Sequence, residues 1–138
     1  MAGNYYNFYA ATAGTGNPNL TSGDAPDSIC PSGWHLPSST GTSSYTTLVQ
    51  NYVGREENTD NLTNHHSPLL LSTLSFTRSG FYTYYNGILY SQSSHGYYWS
   101  HTPNGKTRAY YLTFVSTGLY PRSNYSRGYG FTLRCLAR

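Results

Sequence analysis

The side chains of this chain able to do acid–base, nucleophilic or metal chemistry are five histidines (His35, His65, His66, His95, His101), five acids (Asp24, Asp27, Glu56, Glu57, Asp60) and two cysteines. Their spacing organises none of that chemistry. The histidines show no HExxH spacing and have no acidic neighbour in sequence, and the adjacent His65 and His66 read as solvated loop residues. Serine, histidine and aspartate are all present, but no GxSxG elbow joins them into a triad. The acidic run from Arg55 to Asn61 lacks the ligand spacing of a calcium loop and reads as a charged loop. Gly14 to Gly16 is too short for a phosphate cradle. The expectation is therefore no catalytic residue, no metal ligand and no cofactor. Cys30 and Cys135 lie 105 positions apart, which excludes a CxxC zinc or redox site and leaves a disulfide or two inert thiols. A bridge over so long a loop would stabilise by about 4–5 kcal/mol in the chain-entropy picture. It would also imply an oxidising, extracytoplasmic location.

What the chain has in excess is tyrosine. Sixteen tyrosines stand among 138 residues of which only 9% are charged, so Ser, Thr, Asn, Gly and Tyr must supply the polar surface. Tyrosine offers a rigid apolar ring with a polar tip, and Tyr with Ser, Gly and Asn is the composition of evolved recognition surfaces. Tyrosine also favours strands, so two populations are expected: ligand-facing rings and half-buried strand residues. The net charge of +3 is unevenly spread, because every acid lies in the first 60 residues while residues 61–138 carry seven bases and no acid. These cations are spaced out rather than clustered, which argues against a nucleic-acid partner.

The elements that must position these residues read as one α+β domain over 1–138. Tyr45, Leu48, Val49 and Tyr52 fall at i, i+3, i+4 and i+7, predicting a helix over Ser43–Gly54 with Ser or Thr as N-cap and Gly54 as stop. Ser67–Leu74, with Pro68 at its first position, suggests a second helical turn. From residue 76 the pattern is short strands. Gly80–Gln92 reads as a hairpin turning on Asn86-Gly87, Gly96–Thr102 as a strand, and Arg108–Ser116 as a strand with Tyr110, Leu112 and Phe114 on one face and Tyr111, Thr113 and Val115 on the other. Leu119–Arg127 shows no apolar rhythm and reads as an unconstrained run, whereas Gly130–Cys135 alternates like a strand that closes the sheet. No apolar run is long enough to span a membrane and no signal peptide is present. The start, Met1–Tyr9, resembles an expression start on an internal fragment of a longer exported protein.

Four blocks in order, Ser28–Ser39 ("SICPSGWHLPSS"), Gly96–Thr102 ("GYYWSHT"), Ala109–Phe114 ("AYYLTF") and Gly130–Cys135 ("GFTLRC"), together resemble the Fibrobacter succinogenes major paralogous domains. That group has a C-type-lectin-like fold and overlaps with the variable proteins of diversity-generating retroelements. The resemblance implies that Cys30 and Cys135 form a disulfide, that Trp34 and Trp99 fill the core, and that the N- and C-terminal segments lie close together. It implies a variable region at about 96–130 whose diversified positions bind ligand: Tyr97, His101, Asn104, Lys106, Arg108, Tyr111, Thr113, Tyr120, Arg122, Ser123, Asn124, Tyr125, Ser126 and Tyr129. The implied function is a monomeric binding module that recognises a protein or surface ligand through an exposed face. The alternative is a fixed structural or adhesive surface domain of the same fold. The EPN, QPD and WND motifs of calcium-dependent sugar-binding lectins are absent, so that activity is not implied. Formylglycine-generating enzymes share the fold but need active-site cysteines late in the chain, where only Cys135 stands.

Overall fold

The structure is a computed structural model, and it describes residues 4–42, 44–53, 62–63, 74–116 and 118–138. Gly54, the Arg55–Asn61 run, His65, His66 and all of the Ser67–Leu74 segment but its last residue lie outside the described residues. What is described is α+β, with two helices and antiparallel sheets. The predicted helix is present as α2, Tyr45–Val53. Ser44 caps it: its Oγ accepts from the Thr47 amide at 3.1 Å, satisfying one of the donors that a first helical turn leaves without an internal acceptor. The second helix lies elsewhere than expected. It is α1, Phe8–Ala11, started by the Asn7 side chain accepting from the Ala10 amide.

The strands among the described residues are, in order, β1 (Trp34–His35), β2 (Leu62–Thr63), β3 (Phe81–Tyr82), β4 (Leu89–Tyr90), β5 (Gly96–Asn104), β6 (Arg108–Val115), β7 (Gly118–Ser126) and β8 (Leu136–Ala137). The main sheet has the order β2-β7-β6-β5, with β3-β4 and β1-β8 as separate pairs. β5 and β6 lie where alternation put them. β7 overturns the reading of Leu119–Arg127 as unconstrained: it is a nine-residue strand inside the sheet, paired with β6 from Val115↔Gly118 to Arg108↔Ser126. Its polar and aromatic side chains mask the alternation because neither face is aliphatic. Pro121 is tolerated because the β6–β7 register shifts there, Pro121 and Arg122 together opposing Leu112, and a bulge is where a strand can hold proline.

Gly130–Cys135 is correspondingly not one strand. Phe131 pairs antiparallel with Tyr6, Gly130 with Tyr82, and Thr132 parallel with Tyr98, and β8 then pairs with β1. Four successive partners lie in different directions, so no continuous ladder can form. These pairings bring the N-terminal segment against the C-terminal one, Tyr6 and Phe131 exchanging hydrogen bonds at 2.8 and 3.0 Å. Cys30 and Cys135 are joined in a disulfide. The β3–β4 hairpin forms, but not through a two-residue turn. The Gly87 amide donates to the Thr83 carbonyl, and only Gly87 takes a positive φ, so a wider loop closed by the Asn86 side chain replaces the expected turn.

Both faces of the sheet are buried, by different means. On one, α2 contributes Tyr45 and Val49 to a cluster with Phe76, Tyr98, Leu112, Phe114 and Leu119. Gly96 stands opposite Phe114 in the ladder, and a Cβ there would collide with the phenylalanine ring. On the other face, α1 contributes Phe8 and Ala11 to a cluster with Leu36, Trp99, Ala109, Tyr111, Tyr129 and Phe131. Trp99 is fully buried as expected, but Trp34 is 47% exposed. It stands on the short β1–β8 ribbon, outside both clusters.

Candidate ligand-binding site

The period-2 alternation of strands and the register of β5, β6 and β7 decide which side chains share a face. Tyr97, Thr113 and Tyr120 form one row, Trp99, Tyr111 and Ser123 the next, and Ala109 and Tyr125 a third. Phe131 lies against this face with ring centroids 4.2 Å from Trp99, 4.7 Å from Tyr111 and 5.2 Å from Tyr97. Phe81 of β3 closes on Tyr97 at 4.9 Å. Phe81, Tyr97, Tyr111, Tyr125 and Phe131 line a cup of about 160 Å³. Edge and tilted ring contacts of this kind hold aromatic geometry beyond what burial alone supplies.

From the cup outward the rings become steadily more exposed. Tyr111 and Tyr129 are each 8% exposed, Tyr125 42%, and Tyr84 and Tyr85 64% and 65%. Tyr129 links the levels, with its ring 4.5 Å from Tyr125 and 5.4 Å from Tyr84. Burial pushes the phenols of Tyr97 and Tyr111 above their ordinary value, and burial with the Tyr125 hydroxyl beside it pushes Tyr129 up to about 12. The Tyr97 and Tyr111 hydroxyls of the cup, and that of Tyr129 beside it, are thus neutral groups able to donate and accept at any physiological pH.

The fourteen residues expected to bind ligand do not form one exposed face. Tyr97, Tyr120, Ser123 and Tyr125 are at least partly accessible on the aromatic side. Tyr111, Thr113 and Tyr129 are buried on that side, correcting the expectation that they are exposed: tyrosine and threonine both suit a packed strand, and their types alone do not distinguish ligand from core. Asn104, Arg108, Arg122, Asn124 and Ser126 alternate onto the α2 side. Arg108 nonetheless reaches back: its Nε donates to Asn124 Oδ1 at 2.7 Å while the guanidinium lies 5.4 Å from the Tyr125 ring centre. Lys106 is exposed in the β5–β6 turn.

His101 is an anchor rather than a surface residue. It sits where β5 departs from β6, with Ser100, His101 and Thr102 facing Tyr110 alone. Its Nε2 lies 3.3 Å from Asp24 Oδ2. Ser38 Oγ donates to Asp24 at 2.9 Å, and Thr102 Oγ1 donates to the same carboxylate. Those bonds, that of His101 first, hold the Asp24 carboxyl down at about 2. Serine, histidine and aspartate therefore meet in space, yet the Ser38 hydroxyl donates to the carboxylate and not to the imidazole. No nucleophile is activated by this arrangement. It ties residues 24–25 to β5, where the Ala25 amide also donates to the His101 carbonyl.

Two features of the structure were not legible in the sequence. The β3–β4 hairpin exposes Tyr82, Tyr84, Tyr85, Ile88 and Tyr90, more apolar surface than a short two-stranded ribbon needs. That excess of aromatics within ten residues was the available signal. Arg127 is fully buried, and its guanidinium and Nε donate to the carbonyls of Gly16, Asn17, Leu20, Gly105 and Arg108. It also lies 5.3 Å from the Phe8 ring centre. Nothing in its neighbourhood of Tyr, Ser and Asn distinguishes it from the exposed arginines.

Residues 50–136, which include the hairpin and all of β5, β6 and β7, match the family described as a domain of unknown function (DUF8237), and the chain belongs to that family. No curated protein and no solved structure matches it.

Proposed function

We propose that this domain is a ligand-binding module, a C-type-lectin-like variable protein of the kind that diversity-generating retroelements alter, displaying a tyrosine-rich surface to a protein or cell-surface ligand. The observation that carries this reading is the continuity of the aromatic surface. Of the large apolar side chains exposed among the described residues, most lie on the β3–β4 hairpin, and Tyr125 joins them to the five-ring cup. Contiguous exposed apolar surface marks interaction sites, and rigid tyrosines flanked by Arg108 and Asn124 are the anchor and adaptor types of recognition interfaces. Adjacent chain ends, a disulfide between distant positions and helices flanking a mainly antiparallel sheet agree with the lectin-like fold. The bridge fits an extracytoplasmic location, and among the described residues no helix is long and apolar enough to cross a membrane. The reading assigns no catalysis.

The burial of Tyr111, Thr113 and Tyr129 favours a second reading, a fixed adhesive domain of the same fold, since side chains packed against a core tolerate less replacement. The experiment that tests the proposal is a binding screen against surface proteins and glycans, with and without chelator, repeated with Tyr84, Tyr85 and Tyr125 changed to Ser. Metal-independent binding lost in that variant supports the site. Chelator-sensitive sugar binding that survives in it refutes the site. A template repeat that differs from the gene only at adenine positions separates the diversified module from the fixed one.

A further inference from the structure

The cup formed by Phe81, Tyr97, Tyr111, Tyr125 and Phe131 is walled by aromatic residues alone, with no aliphatic side chain and no carboxylate among them. Its volume of about 160 Å³ is well below the roughly 300 Å³ at which pockets for drug-sized molecules begin, so it takes one compact group. The rings are held by one another. Phe81 lies 5.7 Å from Tyr90 and 5.6 Å from Tyr129, and Tyr97 lies 5.8 Å from Tyr111. Their planes differ, Phe81 being tilted 59° from Tyr97 and Tyr111 58° from Phe131, so the rings bound the space from more than one direction. A cup fixed in this way needs little ordering when it is filled. Aromatic faces carry negative potential, and several of them around one small space suit a quaternary ammonium group, whose methyls pack as apolar matter while its charge meets the rings.

A cation already stands at the edge of this cup. The Arg108 guanidinium lies 5.4 Å from the centre of the Tyr125 ring. Burial raises the Tyr111 phenol most, and the Arg108 charge pulls it partly back, which places that charge near the cup's own hydroxyls. A bare organic cation in the cup would be repelled by Arg108. One that carries its own anion would not. Arg108 gives its Nε and Nη2 to the side chain and carbonyl of Asn124, so its plane is fixed while Nη1 keeps no hydrogen-bond partner among the described residues. An oriented guanidinium of this kind suits a phosphate.

We propose that the cup and Arg108 together bind a phosphocholine group, the trimethylammonium seated among the five rings and the phosphate on the guanidinium at the rim. This rests on the reading of the aromatic side as the recognition surface and gives that surface a ligand chemistry. The two halves of the ligand are matched by opposite features a few ångströms apart. Neither half requires a metal.

The test is titration of the folded domain with phosphocholine at constant ionic strength, read by calorimetry and by the rise in melting temperature. Saturable millimolar or tighter binding is expected, weakened about fivefold or more in Tyr125→Leu, which keeps an apolar side chain but removes the ring, and about tenfold in Arg108→Gln. Both positions are exposed, so the variants fold, and Trp34→Ala, an exposed aromatic far from the cup in the fold, should bind as the parent does. Choline and phosphoethanolamine, each lacking one half of the recognised group, should bind more weakly than phosphocholine. The decisive comparison is 3,3-dimethylbutyl phosphate, the uncharged carbon analogue: binding equal to that of phosphocholine would show an apolar pocket and overturn the proposal. No saturable phosphocholine binding overturns it too, as does binding unchanged in both Tyr125→Leu and Arg108→Gln. Phosphatidylcholine vesicles and phosphocholine coupled to a soluble carrier then separate a lipid headgroup from a decorated glycan or protein, and failure with both overturns the proposal. Capture of a protein or glycan without phosphocholine binding leaves the recognition reading standing and removes this one. Phosphocholine binding with nothing captured leaves the cup standing and removes the wider surface.

Discussion

The two faces of the central sheet are built from the same three long strands and differ in how they end. On the α2 side, Tyr45, Val49, Leu112, Phe114 and Leu119 close into a core covered by a helix. On the α1 side the cover is a single helical turn and the segment around Phe131, and the aromatic packing runs outward through Tyr129 and Tyr125 to the hairpin tyrosines. The first face ends in a helix and the second in rings. Core and surface on this side are therefore one continuous aromatic material, buried at Tyr111 and Tyr129 and open to solvent at Tyr125, Tyr84 and Tyr85.

The largest expected effect tests whether the aromatic side needs more than packing. Cys30 packs against that cluster, so removing the bridge by Cys30→Ser with Cys135→Ser should lower stability by about 4–5 kcal/mol, the chain-entropy value for a loop of this size. Denaturant melts of oxidised protein and of the double variant check it. Next, Phe114→Ala on the α2 side and Trp99→Ala on the α1 side should each cost about 3–5 kcal/mol. A much smaller cost for Trp99→Ala would mean that the aromatic face is not a true core. The gradient within that face is sharpened by comparing Tyr111→Ser, expected to cost about 2–4 kcal/mol as a buried large-to-small change, with Tyr84→Ser and Tyr85→Ser, each within about 0.5 kcal/mol. Equal melting shifts for the three would erase the distinction between inner and outer rings.

The smallest effect concerns pH. The Asp24 carboxyl sits at about 2 against an ordinary 3.8, so below about pH 4 the unfolded chain takes up a proton that the native state refuses. The stabilisation is complete above that pH and is lost as pH falls toward 2. With the side chain 40% exposed, solvent screening keeps it below about 1 kcal/mol. Asp24→Asn should flatten the stability profile over this interval, and an unchanged profile would remove the carboxylate from the account.

Where the chain alternates apolar with polar, its structure was legible: β5, β6 and α2 stand within a few residues of their expected positions. β7 was not, because Tyr120, Arg122, Ser123, Asn124 and Tyr125 give no apolar period although the strand they form runs alongside β6. Gly130–Cys135 misled in the opposite sense: it alternates like one strand, yet Gly130, Phe131 and Thr132 pair with three different partners. On the aromatic side the face was legible but the depth was not. Tyr97, Tyr120 and Tyr125 lie on one face with Tyr111, yet the type of a tyrosine does not report whether its ring ends in solvent or against Phe131. His101 and Arg127 failed for a related reason, since a cation anchored by carbonyls or by a carboxylate distant in sequence carries no local mark.

The disulfide also decides how the domain would answer to force. Tension applied outside the bridge, before Cys30 and after Cys135, passes through the sulfur–sulfur link and bypasses the chain between. It can peel the Tyr6–Phe131 pairing, α1 and β8. It cannot draw out residues 31–134, whose full extension would release about 350 Å of slack. A ligand held at the hairpin and the cup would therefore sit on a segment that stays taut, and a pull between two anchored surfaces would be borne by the bond itself rather than by unravelling strands.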